Sequence, residues 1–149
     1  MKKILTVLAI LALALAACGD GGNTTGNGSE NGKTTLTIKN SSDYNSLEIL
    51  YGSVEFGTVA RGAEVTKEVG DGTRYISILF HYDLGFSSGE RFLRVNEAIT
   101  CDEGKNTQFT INNNTIITIP GGYKGENKDE IGSLKNVVEA MLNYFREQE

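Results

Sequence analysis

Residues 74–82, Arg74-Tyr75-Ile76-Ser77-Ile78-Leu79-Phe80-His81-Tyr82, decide the fold class. Ile76, Ile78, Phe80 and Tyr82 recur at every second position. Successive side chains of an extended chain point to opposite faces, so this period gathers the large apolar groups on one side. The stretch predicts a half-buried strand, the strongest in the chain, with His81 on its outer face.

The same period runs outward in both directions. Upstream, Thr34 to Asn40 alternates around Leu36 and Ile38 and leaves through a turn, Asn40-Ser41-Ser42-Asp43-Tyr44-Asn45, rich in residues that bond their own backbone. Leu47, Ile49 and Tyr51 alternate next, then Val54 to Ala60 around Gly57, and Arg61-Gly62 turns the chain. Ala63, Val65, Lys67 and Val69 oppose Glu64, Thr66 and Glu68 before Gly70-Asp71-Gly72-Thr73, which is read as a hairpin turn. Downstream, Arg91 to Cys101 sends Leu93, Val95 and Ile99 inward. Phe109 and Ile111 read as one arm of a hairpin, Asn112-Asn113-Asn114 as its turn, and Ile117 and Ile119 as its return. Short alternating segments with turn signals at this spacing predict an antiparallel, immunoglobulin-like β-sandwich of about seven or eight strands over residues 34–122.

Residues 123–149 change period. A polar connector, Tyr123 to Glu130, leads to Ile131, Leu134, Val137, Val138, Met141, Leu142 and Phe145 at helical spacing. This predicts one amphipathic helix of about four turns, capped by Ser133 or Asp129. Its apolar stripe is expected to pack on the sandwich, on a sheet face or across an open edge; the alternative is a helix presented to a partner.

Gly85-Phe86-Ser87-Ser88-Gly89 spells the G-x-S-x-G of a serine-hydrolase nucleophile elbow. An elbow serine needs a following helix and a later histidine. Here Glu90 to Thr100 reads as another strand, and His81, the single histidine, precedes Ser87. The match is expected to be a loop between strands in a chain with 18 glycines. His81, Asp83 and Cys101 make no metal-ligand spacing, so no metal, cofactor or catalytic residue is expected.

The N-terminus carries the clearest functional signal. Lys2 and Lys3, an apolar run from Ile4 to Leu15, and Ala16-Ala17 before Cys18 have the three parts of a secretory signal. The run is well short of the roughly 20 residues a membrane-spanning helix needs. Leu15-Ala16-Ala17-Cys18 resembles the lipobox of bacterial lipoproteins. That resemblance implies a signal peptide over residues 1–17, cleavage before Cys18, a diacylglyceryl thioether on its sulfur and acylation of the new amino terminus. An ordinary signal cut near Ala17, leaving a free cysteine, is the alternative. Gly19, where an aspartate would resemble an inner-membrane retention signal, allows outer-membrane sorting. Two or more acyl chains hold firmly where one is marginal.

From Cys18 the chain runs to Lys33 through glycine, asparagine and threonine with no apolar group after the cysteine. Such a stretch cannot bury enough surface to offset its ordering entropy, and its reach as a tether is roughly 20 Å. Loss of Lys2 and Lys3 takes the formal charge from -5 to -7 (-5 minus 2), which offers nucleic acid no electrostatic footing. With Cys18 claimed by lipid, Cys101 has no partner for a disulfide and reads as a small buried hydrophobe.

Tyr44, Phe86 and Tyr123 fall in expected loops, where an aromatic ring is either a recognition anchor for a protein or glycan partner or a plug folded back on the core. Two runs, Leu36 to Phe80 and Glu97 to Ile117, resemble a repeated domain of small spirochaete-type lipoproteins. The likeness lies in the Leu36-Thr37-Ile38-Lys39-Asn40 strand, the Phe56-Gly57 turn, the Gly62 turn followed by Val65-Thr66, the Tyr75-Ile76 strand and the closing Asn114-Thr115-Ile116. It implies a surface lipoprotein sandwich and carries over no catalytic residue. The expected function is a membrane-anchored, non-enzymatic binding or adhesion module of the cell envelope. The alternative is a periplasmic scaffold that docks through the C-terminal helix.

Overall fold

The structure, a computed structural model, describes residues 32–148; the signal, Cys18 and nearly all of the expected tether lie outside them. Among the described residues there are nine strands and one helix. Strands β1 (Thr35–Asn40), β4 (Glu64–Glu68) and β7 (Asn106–Ile111) form a three-stranded sheet in the order β4-β1-β7. A six-stranded sheet has the order β3-β2-β5-β6-β8-β9. Its strands are β2 (Ser46–Tyr51), β3 (Val54–Ala60), β5 (Gly72–Asp83), β6 (Ser88–Cys101), β8 (Ile116–Ile119) and β9 (Glu130–Ser133). Helix α1 spans Leu134–Arg146.

The period-two reading of residues 74–82 holds. Ile76, Ile78 and Phe80 are buried, while Tyr75 and His81 on the other face are exposed. Leu36 and Ile38 of β1, Ile49 and Tyr51 of β2, Leu93 and Val95 of β6 and Ile117 of β8 meet them in one core. Each such side chain contributes roughly 1.5–3 kcal/mol by leaving water, which is what holds the two layers face to face. The fold is a mainly β, mostly antiparallel two-sheet sandwich with one C-terminal helix.

Two expected hairpins are instead crossings between sheets. The 70–73 turn carries the chain from β4 in the small sheet to β5 in the large one, and the 112–115 corner carries it from β7 to β8. Local turn chemistry is similar in both cases; the partner of each strand is set by distant residues. β1 and β7 also pair in parallel, from Thr35 opposite Asn106 to Asn40 opposite Ile111. Parallel neighbours need a long connection, and β2 to β6 supply it.

The polar connector leads into β9, which adds to the free edge of β8 from Ile116 opposite Ser133 to Ile119 opposite Glu130. Ile131 therefore belongs to a strand, not to the helical stripe, and is 63% exposed. Ser133 is the N-cap, accepting a hydrogen bond from the Asn136 N–H, whereas Asp129 accepts from the Gly121 N–H and pins the loop before β9. The Leu134 and Lys135 N–H groups donate to the carbonyls of Thr115 and Asn113 at 2.8 and 3.1 Å. Donors left open at the start of a helix are thus satisfied by the sheet-crossing corner.

Three strands cannot cover six, and α1 completes the second layer. Leu134, Val137, Val138 and Met141 are buried, and Leu142, Tyr144 and Phe145 pack against the core. Phe145 stacks on Tyr82 with ring centroids 5.1 Å apart. The apolar stripe is covered by the protein's own sandwich.

Candidate functional site

Cys18 lies outside the described residues. Of the three loop aromatics, two fold inward. Tyr44 packs edge-on against Phe80, with centroids 5.2 Å apart. Burial pushes its phenol up to about 12, helped by the carboxylates of Glu139 and Asp43. Tyr123 is 8% exposed and packs edge-on against Tyr144 and Phe145. Both adopt the plug arrangement rather than a free one. Phe86 is 48% exposed in the turn joining β5 to β6.

That turn also holds Ser87. The Leu84 N–H bonds the Ser87 carbonyl at 2.8 Å, and β5 and β6 run antiparallel on either side from Asp83 opposite Ser88. The G-x-S-x-G match is a hairpin turn, not a strand-to-helix elbow. His81 lies on the outer sheet face, with Nε2 2.9 Å from a Glu48 carboxylate oxygen and Nδ1 3.8 Å from one of Glu90. Cys101 is buried and free. Ser87, His81 and Cys101 thus occupy a hairpin turn, an exposed sheet face and the core respectively. Among the described residues there is no group of three or more His, Cys, Asp or Glu side chains able to hold a metal ion. No helix among them is long and apolar enough to cross a membrane.

Buried polar groups serve the fold. Asn40, fully buried, donates from Nδ2 to the carbonyls of Val59 and Tyr44 at 3.1 and 3.3 Å, and its Oδ1 accepts from the Ser42 N–H and hydroxyl at 3.1 and 2.7 Å. This one amide fixes the exit of β1 and with it the loop that carries Tyr44.

Two surface features can receive a ligand. The outer face of the large sheet pairs Leu79 with Phe92, which is 49% exposed, and sets the Arg94 guanidinium 5.3 Å from the Tyr75 ring centre. Beside it, between Leu79, Glu90, Phe92 and Pro120, lies a shallow depression of about 510 Å³. The second feature is a pocket of about 340 Å³ between β6 and the 112–115 corner, lined among others by Val95, Glu97, Phe109, Asn112, Asn114 and Thr115.

The pocket has a local cause. Tyr75 pairs with Ala98 but Ser77 pairs with Arg94, so Val95, Asn96 and Glu97 together stand against Ile76. A bulge bends its strand and re-aims side chains, and Glu97 in this one is among the residues that line the pocket. β8 pairs with β6 only at Arg94 and Val95. Beyond Val95 the β8 side of β6 has no strand partner among the described residues. No sequence signal marked this site, because alternation does not reveal an irregular register; the isolated asparagine run was the only hint.

No protein-family model matches the chain, and no curated protein or solved structure matches it.

Proposed function

We propose that this is a cell-envelope protein held to the membrane by lipid on Cys18, whose folded part binds a partner and performs no catalysis. The observation that carries the reading is a coincidence in sequence. Leu15-Ala16-Ala17-Cys18 ends a secretory-type apolar run, a glycine- and asparagine-rich stretch follows, and the first strand begins at Thr35. Acylation at Cys18 would keep the sandwich at the bilayer, with outer-membrane sorting compatible with Gly19.

The binding reading is supported by half-exposed aromatic rings, Phe86 at a hairpin tip and Tyr75 and Phe92 on the outer sheet face. Exposed aromatics supply large contact area at low entropy cost. Docking through α1 has less support, because its apolar face is already buried. The test is metabolic labelling with palmitate. The wild-type chain is expected to take up label and Cys18→Ala to take up none; label in both, or in neither, contradicts the proposal.

A further inference from the structure

We infer that the pocket between β6 and the 112–115 corner is a saccharide-binding site. The inference deepens the binding-module reading above by assigning a ligand class. Its volume of about 340 Å³ suits one sugar ring, within the roughly 300–1,000 Å³ of small-molecule clefts.

The chemistry of the walls selects the ligand. The Glu97 carboxylate has no ion pair or hydrogen bond among the described residues, and as an acceptor alone it suits vicinal hydroxyls. Asn112 has its Oδ1 occupied by the Asn114 N–H at 2.8 Å, which leaves its Nδ2 as a donor. Thr115 Oγ1 accepts from the Asn112 N–H at 2.9 Å, which leaves its hydroxyl hydrogen to donate. The Asn114 amide both donates and accepts. These groups are held by a corner that is itself bonded to the start of α1, so their placement is set before any ligand arrives. Ile116, 49% exposed, and the partly buried Phe109 supply an apolar surface for the C–H face of a pyranose ring.

Other ligand classes fit less well. An anion would meet a carboxylate and no cation in the lining. A purely apolar ligand would desolvate the amides and the carboxylate without compensation. A small ammonium ion would satisfy Glu97 and leave the amide donors facing a cation. A polyhydroxylated ring uses donor, acceptor and apolar wall together.

The experiment uses the full chain in detergent, acylated or not, titrated with the methyl pyranosides of glucose, galactose, mannose and N-acetylglucosamine while backbone amide resonances are followed. At least one pyranoside is expected to move Glu97 and residues 109–116 saturably. Glu97→Ala and Asn114→Ala, both at exposed positions, should each weaken binding, the first by roughly tenfold or more, as for a hydrogen bond to a charged group, and the second by roughly threefold to tenfold, as for a neutral one. Glu55→Ala, on β3 at the opposite edge of the large sheet, should leave affinity unchanged. The site is refuted if no pyranoside moves these amides, if affinity survives both pocket substitutions, or if methylammonium moves them and no sugar does. Failure here leaves palmitate labelling of Cys18 untouched, and an unlabelled Cys18 leaves the titration untouched, so the two readings fail separately.

Discussion

Phe145 of α1 stacks on Tyr82 of β5 with ring centroids 5.1 Å apart and planes inclined by 20°. The Arg91 guanidinium lies 5.3 Å from the centre of the same Phe145 ring. A residue near the end of the chain is thereby tied to the strand whose alternation defines the fold, and the helix becomes part of the sandwich.

Phe145→Ala should therefore destabilise the whole domain, not only fray its end. The expected loss is about 2 kcal/mol, below the roughly 3–5 kcal/mol of a fully buried phenylalanine because this ring is only half-buried. Phe86→Ala, in the hairpin turn, should stay within about 0.5 kcal/mol of wild type. Urea unfolding of the two variants side by side measures the contrast.

Asn40→Ala should cost about 2–3 kcal/mol, since it strands the Val59 carbonyl and the Ser42 hydroxyl in the interior. Asn40→Asp keeps the acceptor and loses the donor, so it should not rescue. Thermal unfolding of both variants checks this, and a wild-type midpoint for either would remove Asn40 from the account.

The loop before β9 has a steric prediction. Gly122 sits at φ +67°, and a Cβ there would run into the Lys128 carbonyl oxygen. Gly57 has a similar φ of +74° but open space around it. Gly57→Ala should cost only the backbone penalty of roughly 1–2 kcal/mol, and Gly122→Ala distinctly more. Hydrogen exchange should show the extra damage at the β8–β9 pairs.

Tyr44 gives a pH prediction. Its phenol ionises at about 12 in the folded chain, raised chiefly by burial, against about 10 when unfolded. The folded state thus holds the proton more tightly, so its contribution is fully present below pH 10 and is lost as pH rises towards 12. Stability should fall across that window, and Tyr44→Phe should make the fall shallower. Denaturant midpoints measured from neutral to alkaline pH test the sign.

Strand positions were largely legible because alternation is local. β1 to β8 fall where the period of two places them, and the outward His81 and buried Cys101 follow from it. Sheet membership was not, because nothing within residues 109–119 records that β7 joins β1 while β8 joins β6. β9 escaped notice because four residues with a glycine among them carry almost no period, and Ile131 fits the helical spacing that follows equally well. The fates of Tyr44 and Tyr123 depended on distant elements, since Phe80 of β5 reaches the first, and Tyr144 and Phe145 of α1 the second, only after folding. The pocket was illegible for a related reason, its bulge being a mismatch between two strands and not a property of either.

The account rests on a lipid at Cys18 holding this sandwich to a membrane. Intact-mass spectrometry of the chain extracted from membranes tests it most directly. A mass corresponding to a chain that begins at Cys18 and carries a diacylglyceryl group, with or without a further acyl chain, is the expected result. A mature chain with an unmodified thiol at Cys18, or one that begins beyond it, would contradict the claim.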